Sequence, residues 1–170
     1  MGYHNLPDKT SEVIREDGAF RSGDLGRLDD EGYLYITGRI KEQYKLENGK
    51  YVVPAPLENQ LQLSGFIAQA MVYGANKPHN VAILVPDFLA LEAWAGEQGI
   101  ATDHSALCSD AKVHALIEQE LEKQHGAVFK GFEKIRKFRL ITEEFSVDND
   151  MLTPKMSLKR RNVIAAHQSL

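Results

Sequence analysis

Three places in this 170-residue chain carry side chains suited to handling anions. Asp24 stands between Gly23 and Leu25-Gly26, so its carboxylate belongs on a tight turn at a strand end. There it can accept hydrogen bonds from both hydroxyls of a ribose, or bond its own backbone as turn aspartates do. Arg39 lies between Gly38 and Ile40, where strand pattern gives way to Lys41-Glu42-Gln43. Its planar fork suits phosphate or ribose oxygens, and the plainer alternative is a surface pair with Glu42 or Glu58. The third place is the stretch from Met151 to Arg161, a Thr-Pro step followed by Lys155, Lys159, Arg160 and Arg161. It is expected to be a tail outside the core. A charge run is ordinarily a solvated face, yet a lysine at a loop mouth can neutralise charge developing on a carboxylate or phosphate. Together these residue types suit a nucleotide with an anionic phosphate.

Bulk composition narrows the alternatives. At 43% hydrophobic the chain can bury a real core, in one domain or one and a part. Its net charge of -4 gives no general affinity for nucleic acid, and the single basic cluster lacks interleaved aromatics. One cysteine, Cys108, excludes a disulfide framework and points to a reduced, cytoplasmic setting; it is expected in a loop. No segment approaches the ~20 apolar residues of a membrane span. The six histidines show no metal-ligand spacing and read as surface or loop residues. No glycine-rich phosphate loop or nucleophile elbow is present, so the chain has no phosphate cradle of its own.

The elements that must position these residues follow from local pattern. A short helix from Thr10 to Arg15, capped by Thr10, is expected in an N-terminal stretch with little core. Leu28 to Ile36 reads as a turn between two short strands. Lys41 to Val53 alternates around Asn48-Gly49, a strong hairpin signal. Pro54-Ala55-Pro56 opens a helix through Leu57, Leu61 and Leu63. Ile67–Tyr73 and Asn80–Val85 read as buried strands, and Asp87 caps a helix carrying Phe88, Leu91, Trp94 and Ala95. A further helix starts near Ser109-Asp110, with Val113, Leu116, Ile117 and Leu121 at helical spacing. Lys137–Thr142 reads as the last strand, with a terminal helix from Leu158. The class is α+β, with a hairpin and a small, mainly antiparallel sheet packed by helices.

In this order the segments resemble the C-terminal portion of the adenylate-forming enzymes, the acyl-CoA synthetase and luciferase superfamily. Gly2-Tyr3-His4-Asn5-Leu6-Pro7 looks like that family's "GYYNNPEAT" stretch, and Phe20-Arg21-Ser22-Gly23-Asp24-Leu25-Gly26 like its "GWFRTGDLG" motif. The stretch from Gly32 to Glu42 is similar to "GYLYIVGRxKE", and that from Lys45 to Glu58 to "KLSNGxxVxPxxIE". The tail is similar to "LTPTxKLKRR" of the long-chain fatty acyl-CoA synthetases, without the Gly that precedes the lysine in many relatives.

The resemblance implies a two-step ligase. A carboxylate and ATP give acyl-adenylate and pyrophosphate, and the thiol of coenzyme A then displaces AMP, with Mg2+ bound mainly by an upstream large domain. It implies that Asp24 binds the AMP ribose, Arg39 contacts ribose or phosphate, Lys41 is a hinge and Gly49 lies near the pantetheine path. Lys159 would bridge carboxylate and phosphate during adenylation, with Lys155 as the alternative. Residues 1–38 are expected to be a remnant of the large domain and 39–170 a mobile lid domain. The chain alone is expected inactive, and the full-length enzyme is compatible with peripheral membrane association. A ligase for a medium-chain or aryl acid, and a stand-alone binding module without chemistry, remain alternatives.

Overall fold

The computed structural model describes residues 2–126 and 128–167. The chain divides between Gln43 and Tyr44 into two units.

In the first unit, helix α1 (Pro7–Val13) starts with a proline in its first turn, where the missing N–H costs nothing. The helix therefore begins earlier than the Thr10 start expected from sequence. Thr10 is not its cap: its hydroxyl donates to Leu6 O at 2.9 Å and accepts from Tyr3 N–H at 3.0 Å. Strands β1 (Asp24–Leu28) and β2 (Leu34–Arg39) form an antiparallel ribbon with a register shift between Leu25 and Gly26. Asp29 closes the connecting turn by accepting from Tyr33 N–H at 2.8 Å and Glu31 N–H at 3.0 Å. Leu28, Leu34 and Ile36 of the ribbon are all exposed. A 3-10 turn (Ile40–Glu42) follows.

The second unit opens with the hairpin β3 (Tyr44–Lys45) and β4 (Tyr51–Val52) around the expected Asn48-Gly49 turn. Helix α2 (Pro54–Leu61) starts on its proline and stops two residues before Leu63, which is exposed. Strands β5 (Ile67–Tyr73) and β6 (Asn80–Pro86) pair antiparallel. Helices α3 (Phe88–Glu97), α4 (His104–Ser109) and α5 (Ala111–His125) come next, and β7 (Ile135–Leu140) then pairs parallel to β6. Helix α6 (Arg160–Ala166) ends the described chain. The α+β class holds, with a parallel pair that local pattern did not announce.

Strand alternation sorts side chains onto two faces, and both are covered. Ala70, Val72, Ala82 and Leu84 meet Leu57, Leu61, Leu91, Val113 and Ile117 from the helices. Met71, Ile83 and Val85 meet Phe145, Met151, Leu152 and Val163. The start of the lysine-bearing tail is thus core, contrary to the expectation for Met151 onward. Two further expectations fail, the first on local structure and the second on burial. Cys108 is on α4, half-buried, with its thiol pKa raised by desolvation. His125 is on α5 and is buried. No helix among the described residues is long and apolar enough to cross a membrane.

Candidate functional site

The two strands of the first unit bring Asp24 and Arg39 directly opposite one another. Arg39 Nε lies 2.7 Å from Asp24 Oδ1. Arg39 thus pairs with Asp24, which was not among the partners foreseen for a surface pair. Gly23 holds φ at +79°, a left-handed conformation that glycine adopts without strain, and its carbonyl accepts Ile40 N–H at 2.9 Å. That turn closes the ribbon's open end and fixes the Asp24 backbone, whose N–H donates to Ser22 Oγ at 3.2 Å. The Asp24 side chain is 23% exposed and that of Arg39 63%. The pair therefore presents a mostly shielded acceptor beside an accessible fork of N–H donors. This combination can take hydroxyls on one side and an anion on the other. Lys41 is exposed within the 3-10 turn, just before the division between the units.

In the second unit Gly49 sits at φ +83° and donates its N–H to Leu46 O at 2.9 Å. A Cβ there would meet only Lys45 Cε at 3.8 Å, so the turn conformation demands glycine more than the surrounding space does.

Lys159 is the N-cap residue of α6. Its N–H donates to Met151 O at 2.8 Å, and its ammonium is held by Asp150 Oδ1. Asp150 also accepts from Asn162 Nδ2 at 2.7 Å, through both its carbonyl and its Oδ2. Between Leu152 and Leu158, which pair as an antiparallel bridge, the chain makes a tight turn. Thr153 N–H donates to Ser157 O and Met156 N–H to Thr153 O, both at 2.8 Å. Lys155 rides exposed on this turn. The two candidate lysines are thus placed differently: Lys159 at the base beside a carboxylate, Lys155 at the tip.

Sequence reasoning missed the groups that hold this tail. Arg160 donates Nη1–H to Glu58 Oε1 at 2.5 Å and Nη2–H to Oε2 at 2.6 Å, and Val72 N–H donates to Glu58 Oε1 at 2.7 Å. Tyr44 nearby is half-buried, and desolvation, reinforced by the Glu58 charge, raises its pKa well above the ordinary phenol value. A signal for Glu58 existed. Pro54, Leu57, Glu58 and Leu61 are the buried positions of α2, at helical i, i+3, i+4, i+7 spacing. A charge on that stripe requires a buried partner.

Comparison with known proteins identifies the family of the chain. The chain is 37% identical over 161 residues to long-chain-fatty-acid–CoA ligase 1 of Cavia porcellus, covering 94% of this chain and 23% of that protein. It is 38% identical over 164 residues to the long-chain-fatty-acid–CoA ligase FadD15 of Mycobacterium tuberculosis, covering 95% of this chain and 27% of the relative. It thus spans about a quarter of the length of the curated relatives it matches. Among solved structures it resembles the adenylation domain of a carboxylate reductase from Mycobacterium chelonae, with TM-score 0.79 and 26% identity, covering 99% of this chain and 25% of that one. The corresponding domain from Segniliparus rugosus, solved in complex with AMP and a co-purified carboxylic acid, gives TM-score 0.78 at 27% identity, with 99% of this chain and 25% of that one covered. The model of the AMP-binding enzyme C-terminal domain matches residues 41–170, and the chain belongs to that family.

Proposed function

We propose that this chain is the C-terminal part of an AMP-forming long-chain fatty acid–CoA ligase. Residues 1–38 are the end of its large domain and 39–170 its mobile lid. In the first half-reaction a fatty acid carboxylate oxygen attacks the α-phosphorus of ATP, and pyrophosphate leaves. In the second the coenzyme A sulfur attacks the acyl carbonyl, and AMP leaves with the bonding electron pair. The observation that carries the reading is the Asp24–Arg39 pair at the open end of the ribbon, in a chain of this family. Asp24 accepts the ribose hydroxyls, and Arg39 turns its remaining N–H donors to ribose or phosphate oxygens.

Lys159 exchanges Asp150 for the reacting oxygens and offsets the charge that develops on them. Lys41 is the pivot of the lid, and Gly49 lies along the pantetheine path. No group of three or more His, Cys, Asp or Glu able to hold a metal occurs among the described residues. The Mg2+ that accompanies ATP is held mainly by the large domain upstream. The setting is cytoplasmic, with peripheral membrane contact through the full-length enzyme.

ATP–pyrophosphate exchange by the full-length protein with a panel of acids tests the reading. Long-chain acids are expected to support exchange, and absence of exchange with every acid refutes it. Lys159→Ala is expected to slow adenylation roughly 10²- to 10³-fold, a typical loss for one electrostatic stabiliser. It spares thioester formation from supplied acyl-adenylate, whereas Lys41→Pro does the reverse by fixing φ at the pivot. Lys155→Ala serves as control. If Lys155→Ala is the crippling change and Lys159→Ala is mild, the role passes to Lys155.

A further inference from the structure

The tail bearing both lysines is tied to the core at a buried, bidentate contact. Glu58 is 4% exposed, and its two carboxylate oxygens take the two terminal nitrogens of Arg160, the first residue of α6. One of those oxygens also accepts the β5 N–H of Val72. A buried carboxylate is tolerable only when paired and hydrogen-bonded, and three donors meet that requirement here. A planar fork fixes angle as well as distance, which a point charge on a flexible stem would not. The start of α6 is thereby indexed to α2 and β5 together. The adjoining residue, Lys159, is held by its own N–H to Met151 O. Met151 and Leu152 are buried against the second face of the sheet, so the base of the turn is rigid.

We infer that Glu58 and Arg160 are positioning residues that set the reach of the lysine-bearing turn toward the reacting carboxylate and phosphate. Neither is assigned a contact with substrate; both act through the backbone step from Arg160 to Lys159. A shift of about 1 Å in a reacting group can cost ~10²-fold, so anchoring of this kind has a kinetic signature. The anchoring itself stands on the geometry, while its kinetic consequence rests on the ligase reading above.

Glu58→Gln keeps the volume and an acceptor for Val72 N–H, and Arg160→Lys keeps the charge; each removes the ionic fork. In the 170-residue chain, hydrogen exchange at the Lys159 and Val163 amides is expected to accelerate about tenfold or more in either variant, with Ile83 and Leu84 unchanged. Unchanged exchange at Lys159 and Val163 overturns the anchoring. In the full-length enzyme either variant is expected to lower adenylation kcat roughly 10- to 100-fold while the KM for ATP stays within about twofold. Tm is expected to fall, and at a temperature where the variants remain folded thioester formation from supplied acyl-adenylate is expected to hold. The double variant is expected to fall well short of the product of the two single losses, because both variants break the Glu58–Arg160 fork. Parallel loss of both half-reactions at that temperature, or multiplying losses in the double variant, overturns the positioning role. If the unaltered full-length protein adenylates no acid, the ligase reading fails, and the exchange experiment alone decides the anchoring.

Discussion

His125 is 2% exposed on α5, and its Nε2 lies 3.1 Å from Leu57 O. A carbonyl can only accept, so Nε2 carries the proton and Nδ1 is left as a buried lone pair with no partner among the described residues. Desolvation lowers the pKa of this imidazole, partly opposed by the bond to Leu57 O. In the unfolded chain the group titrates at its ordinary value near 6.5, so below that pH the unfolded state binds the additional proton. The stability contributed by neutral His125 is present above pH 6.5 and is lost as pH falls from there toward the lowered folded-state pKa. His125→Gln keeps an N–H for Leu57 O and removes the titration. The drop in Tm between pH 7.5 and 5.5 is expected to be smaller in this variant than in the parent. An equal drop in both would show that His125 is not the group responsible.

Element by element, local chemistry predicted well and distant pairing did not. Asp87 accepts Ala90 N–H at 3.0 Å, the cap its type and position foretold, and Asp110, near the expected start of α5, accepts Lys112 N–H at 2.7 Å and Val113 N–H at 3.2 Å. Asp110→Ala is expected to cost about 0.5–2 kcal/mol in urea unfolding, with Asp110→Asn costing less. A cost near zero would mean that packing against α4 holds the start of α5 unaided. The Asn48-Gly49 hairpin was equally legible, because a two-residue signal decides it. Helix α4 was missed because its six residues are too few to show periodicity. The parallel partnership of β6 with β7 was hidden because nothing in either strand specifies a partner beyond three intervening helices. The same limit applied at the site. Asp24 and Arg39 were recognisable by type and motif, but their pairing depends on strand register, and the Glu58–Arg160 contact spans 102 positions.

At the scale of the whole molecule the two units should behave differently. Lys41 is exposed next to the division, so limited trypsin digestion is expected to cut there and remove the N-terminal unit first. Early cleavage between residues 60 and 130 would contradict that order. On the proposed reading Asp24, Arg39 and Lys159 would supply only part of what an anionic nucleotide needs, so the 170-residue chain is expected to bind ATP weakly and adenylate nothing. Micromolar affinity by calorimetry would overturn this. The Glu58–Arg160 contact also bears on how the protein is made. Synthesis delivers Glu58 102 residues ahead of Arg160, a wait of roughly 5–20 s at about 5–20 residues per second. Until α6 emerges, closing α2 onto the sheet would bury an unpaired carboxylate, at a cost of several kcal/mol. The nascent domain is therefore expected to stay hydrated and open around Glu58, exposed to proteases and chaperones on the ribosome. Chains stalled before Arg160 has cleared the exit tunnel should be digested readily, and chains stalled after α6 has emerged should resist.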